Sequence, residues 1–188
     1  HYFDNNILDS YKKIGMMDEI KTIFSNINSH MVEGVMLHDQ LYQLFMFLRL
    51  YKYAKKQRVR HDEESKARQK LSEYYIKHRG RLIESKRISV NDVIPIEWYQ
   101  KDRCSITSED ISKALKYAIN VWVSWEQQTK DLYAESYTHS LELGFVAEAS
   151  YILNLLKDVD DELEKAESLQ MFLESIRYDI IEIMDINK

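Results

Sequence analysis

The sequence predicts an all-α fold made of a few long helices, on three observations. Only 4 of the 188 residues are Gly and 1 is Pro, whereas a sheet protein needs many turns and the residues that make them. Apolar residues recur at steps of three and four over long stretches. Only one long segment lacks that period, and it falls mid-chain.

Residues 1–17 are mixed and polar, with Gly15 as a break, and read as an N-terminal arm or a short helix. From Asp18 the stripe Ile20, Ile23, Phe24, Ile27, Met31, Val35, Leu41, Phe45, Leu48 predicts a first helix to about Lys56. Gly34 falls on its inward side, which suits close approach of a neighbouring helix. "VRHDEES" places acids where a second helix begins, against the positive end of its dipole. Ala67, Leu71, Tyr74, Tyr75, His78 and Leu82 then carry that helix to about Ser85.

Residues 86–108 have no helical period and hold the only proline. That is long for a turn between neighbouring antiparallel helices and long enough to cross a bundle from end to end. Thr107 with Asp110 three residues on resembles a capping box. It opens a third helix along Ile111, Leu115, Ala118, Val121, Trp122, Trp125 and Leu132, with Gly144 as its stop. The fourth segment, from Phe145 toward Met184, has no Gly or Pro and reads as one very long helix or a kinked pair. Its last part, about 170–188, exceeds what a bundle helix needs and reads as a C-terminal extension of a single domain over 1–188.

The single Cys104 excludes an internal disulfide framework and fits a reducing compartment. No apolar run approaches the roughly 20 residues of a membrane helix, so the expected setting is cytoplasmic, without a membrane. The net charge of −5 is unevenly spread. Arg49 to Arg87 holds 14 Lys and Arg against 5 Asp and Glu, whereas Phe145 to Lys188 holds 11 acidic and 4 basic residues. A basic lobe is one requirement of a nucleic-acid binder. The plainer reading is basic and acidic helices lying side by side, or meeting between subunits.

Four stretches carry a family resemblance: "QLYQLFMFLRLYKY", "YYIKHRGRL", "WEQQTKDLY" and "LKDVDDELEKAESL". Over roughly Asn28 to Leu169 the chain resembles a distant member of the ferritin-like superfamily. That resemblance implies a four-helix bundle of two helical hairpins joined by a long crossover, with two metal ions held between helices. By position, the first-helix glutamate of the family falls on Gln40 and the Glu-x-x-His pair on Tyr75 and His78. The third-helix glutamate falls on Glu126, and the fourth-helix ligand near Asp158 or Asp160. Two expected carboxylates are thus an amide and a phenol, both poor ligands at neutral pH. No Glu-x-x-His occurs in the chain. The standard ferroxidase centre is therefore not expected.

His38, His78, Glu126 and Asp160 remain as an altered N/O set for iron, manganese or zinc, with Glu33 about one turn from His38. A histidine on the inner stripe of a bundle is more often a hydrogen-bonded core residue. Glu126 equally suits a pairing with Lys or Arg. "DVDDELE" lacks the glycine of a calcium loop and sits within a helical period, so it reads as a solvated helix face. The aromatic run Tyr42, Phe45, Phe47, Tyr51, Tyr53 reads as core rather than a base-stacking surface. No phosphate-binding glycine motif, nucleophile elbow or zinc-finger spacing occurs, and Cys104 has no catalytic neighbours in sequence.

These readings favour a bundle without ferroxidase activity, acting as a structural or partner-binding protein and forming a homo-oligomer of two or more copies. A metal-dependent bundle handling iron or peroxide, a di-metal oxidoreductase with non-standard ligands, is the second reading. A nucleic-acid binder using residues 49–87 is the third.

Overall fold

The computed structural model describes residues 2–86 and 92–188, and among them no strand occurs. Residues 87–91 of the expected crossover lie outside the described residues. Five helices follow in order: α1 (Tyr2–Phe47), α2 (Tyr51–Arg79), α3 (Ser108–Glu142), α4 (Val146–Ser175) and α5 (Ile180–Ile186). Two short 3-10 turns, Ile96–Gln100 and Arg103–Ser105, lie between α2 and α3.

α1 packs on α2 and α3 on α4, and the two hairpins meet chiefly through α1 and α3. Side-chain pairs give the directions. His30 meets Thr129 while His38 meets Glu126, so α1 and α3 run antiparallel. Arg60 meets Glu162 while Arg79 meets Glu148, so α2 and α4 are antiparallel as well. α2 and α3 therefore point the same way, and the link between them must travel the length of the helices. Its described parts lie along α1. Ser25 and Ser29 accept from the backbone N–H groups of Glu84 and Lys86, Gln40 Oε1 accepts from Val93 N–H, and Arg103 donates to the Phe47 carbonyl.

The helix ends explain where sequence and structure part. The first helix, expected to reach Lys56, stops at Phe47. Arg49 takes a left-handed conformation (φ 61°), and Leu50 N–H bonds back to Phe45 O at 2.8 Å. A glycine normally fills such a position. Here buried Leu48 and Leu50 on either side hold an arginine in it, and the usual punctuation is missing. The same device splits the fourth segment: Arg177 and Tyr178 have φ of 54° and 52°, and Tyr178 N–H reaches Leu173 O. α5 then starts on Asp179, whose carboxylate accepts from Ile181 and Glu182 N–H. α2 ends on Gly80 (φ 65°), before the expected Ser85. At α3 the expected signals operate: Thr107 accepts from Asp110 N–H, and Gly144 is left-handed (φ 84°).

Where an arm or short helix was expected, residues 2–17 continue α1 without a break. Arg79 and Arg81 of the α2 end reach Met17 and Asp18, and residues 6–15 beyond them are exposed throughout. Ile7, Leu8, Tyr11 and Ile14 stand on this overhang, each at least half exposed.

Two apolar clusters occupy opposite ends. One gathers Leu41, Phe45, Leu50, Leu115, Ile119 and Trp122 with Tyr178 and Ile183 from the C-terminal region. The other gathers Phe24, Ile27, Leu71, Tyr75, Ile152 and Val159. α5 closes the first cluster. Asn187, 3 % exposed, accepts from Tyr53 N–H in the first turn of α2, where Leu50 supplies no side-chain cap. Asn187→Ala is therefore expected to cost about 1 kcal/mol. An unchanged urea midpoint would show the bond to be worth nothing.

Candidate functional site

Between the two apolar clusters lies a polar layer to which all four long helices contribute. Its centre is Arg60 on α2, whose side chain is only 16 % exposed. Helical spacing brings Glu63 and Glu64 onto the same face one turn later. Glu63 Oε2 lies 3.2 Å from Arg60 Nη1, and Glu64 Oε2 lies 3.8 Å from Nη2. α3 sends Glu126 Oε1 to within 3.4 Å of Nη2, and α4 sends Glu162 Oε2 to within 3.1 Å of Nε. One guanidinium thus faces carboxylates from three helices. A planar, always-charged fork suits this role better than a lysine ammonium does.

Glu126 is 1 % exposed, and its Oε1 also accepts from Trp122 Nε1 at 3.2 Å, one turn back on α3. α1 completes the layer with His38, also 1 % exposed. Gln57 Oε1 accepts from its Nδ1–H at 2.8 Å, so Nε2 carries the lone pair and faces Glu126 Oε1 at 3.6 Å. Burial, helped by the nearby Arg60 charge, lowers the imidazole pKa to about 3, so His38 is neutral. A second buried histidine, His30, stacks on Trp125 at 3.8 Å and donates from Nε2 to Thr129 Oγ1, whose hydroxyl in turn donates to Trp125 O. Burial lowers its pKa to about 4.

The acids are shifted upward. Burial, opposed by Arg60 and reinforced by Glu126 and Glu162, raises Glu64 to about 7. Glu126 is raised by burial, with Arg60 and the Trp122 hydrogen bond pulling the other way. Burial disfavours the charge on Arg60, but Glu126, Glu162 and Glu64 outweigh it and push its pKa up.

Of the four residues expected to form a metal set, the structure brings together His38 and Glu126 and separates the other two. His78 lies farther along α2 than Arg60 by ~27 Å of helix rise. It stacks on Tyr74 and meets Glu148 Oε1 at 3.2 Å, in a separate cluster with Arg79. Asp160 is 60 % exposed and pairs with Lys130 at 2.6 Å on the outside of the α3–α4 hairpin. Among the described residues, no three His, Cys, Asp or Glu side chains are placed to hold a metal ion together. Gln40, where the resemblance led one to expect a first-helix ligand, bonds Asp92 and Val93 and pins the crossover. Tyr75 is fully buried beside Phe24 in the apolar cluster. Glu33 lines a groove between α1 and α3, and Cys104 is exposed.

The residues that sequence reasoning passed over are Arg60, Glu64, Glu162 and His30. Arg60 was hidden in a basic stretch weighed only as a whole, in which Lys55, Lys56, Arg58, Lys70 and Lys77 are all exposed. The signal available was the spacing Arg60, Glu63, Glu64, which puts two acids over one base on a helix. No helix among the described residues is long and apolar enough to cross a membrane. No protein-family model matches the chain, and no curated protein shows significant similarity to it.

Because Glu64 is raised from 4.5 to about 7, its contribution to stability is complete below pH 4.5 and is lost as pH rises through 7. Glu64→Gln is expected to exceed the parent at about pH 8 by on the order of 2 kcal/mol, with no gain in acid. Equal urea midpoints for both proteins at both pH values would contradict this. Arg60→Met removes the cation that carboxylates from three helices share, leaving only Glu162 paired, to Lys165, and is expected to cost about 3 kcal/mol at neutral pH. The loss should shrink in acid as Glu64 and Glu126 take up protons, and a pH-independent loss would count against the pairing.

Proposed function

We propose that this chain is a ferritin-like four-helix bundle in which an internal guanidinium takes the place of metal, serving as a structural or partner-binding protein rather than a ferroxidase. One observation carries this reading. Arg60 lies at mid-bundle, its charge directed at Glu63, Glu64, Glu126 and Glu162. A fixed positive charge in contact with these carboxylates opposes their convergence on a bare metal ion, and it already engages Glu63, Glu126 and Glu162. The antiparallel pairing of α1 with α3 and of α2 with α4, and the link laid along α1, support the two-hairpin topology of that fold class.

The partner-binding part rests on the α1 overhang. Ile7, Tyr11 and Ile14 follow one face at helical spacing, with Leu8 beside them, and all are at least half exposed. A solvated helix keeps such a stripe when another chain covers it, and a second copy of this chain is the occupant we favour.

Metal analysis after addition of Fe(II) tests the first part. The expected result is no stoichiometric metal, no enzymatic Fe(II) oxidation and a melting temperature indifferent to EDTA. Tightly held metal whose removal lowers the melting temperature would sink the reading. Light scattering tests the second part: the parent should be larger than a monomer, and Tyr11→Glu should shift it toward one. A monomeric parent would remove the self-association claim.

A further inference from the structure

We propose that the cleft between α2 and α4 is a binding site for a small aliphatic amine, its ammonium group seated among Glu64, Glu162 and the Tyr133 hydroxyl. This goes beyond the structural reading and does not depend on it. The hairpins meet mainly through α1 and α3, and the α2–α4 side is left open as a cavity of about 370 Å³. That is within the range of small-ligand sites.

Three independent features of the lining give the ligand class. The first is charge: six carboxylates line the cavity against the two cations Arg60 and Lys165. Arg60 is engaged by Glu63, Glu126 and Glu162, and Lys165 at the mouth pairs with Glu162 at 3.1 Å. Glu64, by contrast, makes no hydrogen bond among the described residues and stands 3.8 Å from its nearest cation. The cavity can accept one more positive charge.

The second is Tyr133. It is 3 % exposed, lines the cavity and makes no hydrogen bond among the described residues. It shares the lining of the cavity with Glu64, Glu126 and Arg60, and burial above all pushes its phenol pKa well up. A buried phenol is normally hydrogen-bonded. In the proposed complex an ammonium N–H donates to its oxygen, while its own O–H donates to Glu64.

The third is apolar surface. Met31, Ala67, Leu155 and Val159 also line the cavity, and Trp125 contributes an aromatic ring. A bare metal ion uses none of this, and among the described residues no three ligating side chains are arranged for one. An alkyl chain lies against it, with Asp158 and Asp161 at the rim available to a second amine. An aliphatic diamine fits all three features.

Isothermal titration with 1,4-diaminobutane, against sodium chloride at matched ionic strength, tests the site. The expected result is one saturable site per chain, weakened about tenfold by Tyr133→Phe and by Glu64→Gln, the loss that removal of a hydrogen bond to a charged group brings. Tyr133→Phe keeps the ring and its packing, so it reads the hydroxyl even where Glu64→Gln alters stability. Asp160→Asn removes the same charge outside the cavity, at the Lys130 pair, and should leave the affinity unchanged. Absence of saturable heat, equal binding in all three variants, or stoichiometric Zn2+ that excludes the amine would each overturn the proposal.

Discussion

The ion network around Arg60 is the constraint on which the rest of the structure turns. A guanidinium at this depth is tolerable only if several carboxylates converge on it, and each buried carboxylate in turn needs that cation. Arg60 and Glu64 come from the first hairpin, Glu126 and Glu162 from the second. The network therefore fixes how the two hairpins sit against each other in a way that apolar contacts, which tolerate sliding, do not. His38 adds the α1 side as a neutral imidazole held by Gln57.

Polar groups in the middle and apolar clusters at both ends divide the labour. The apolar clusters supply most of the driving force for packing, through residues such as Phe24, Phe45, Leu71 and Leu115, all with essentially no exposure. The middle layer supplies register. Gly34 shows how closely the layer is drawn: a Cβ there would come within 3.3 Å of both Glu64 Oε1 and Trp125 Nε1. The absent side chain lets α2 and α3 groups close over α1. The opening between α2 and α4 is the counterpart of that tight contact.

Much of the fold was legible because long helices announce themselves by period. The stripes through Ile20 to Leu48 and Ile111 to Leu132, the Thr107 cap, the Gly144 stop and the inward role of Gly34 all follow from local rules. The boundaries at Arg49 and Arg177 were not legible. There, tertiary burial of Leu48, Leu50 and Tyr178 overrides the preference for glycine, and no residue marks the turn. Asp179 followed by Glu182 was a readable helix start that an unbroken apolar period concealed. The site was legible only in its halves. His38 stood on an inward stripe and Glu126 was read as a ligand or a partner of Lys or Arg; the two do meet, and Glu126 pairs with Arg60. His78 sat on an inward stripe as well, yet it faces Glu148 near the far end of α2, because a stripe gives the side of a helix and not the level along it. Arg60 was missed for another reason: a base turned inward from a mostly exposed basic run has no compositional signature.

The bond from Asn187 to Tyr53 spans 134 positions of sequence. Its consequence is one of timing. During synthesis the first hairpin emerges with the start of its second helix uncapped, and the group that caps it follows on the order of ten seconds later. Until then Leu50 and Tyr53 also lack the cover that Tyr178 and Ile183 bring. Closure of so long a loop draws on contacts made late and pays its entropy all at once. The final helix thus acts as a latch on the order of assembly, locking the α1–α2 turn only after both hairpins exist to be joined.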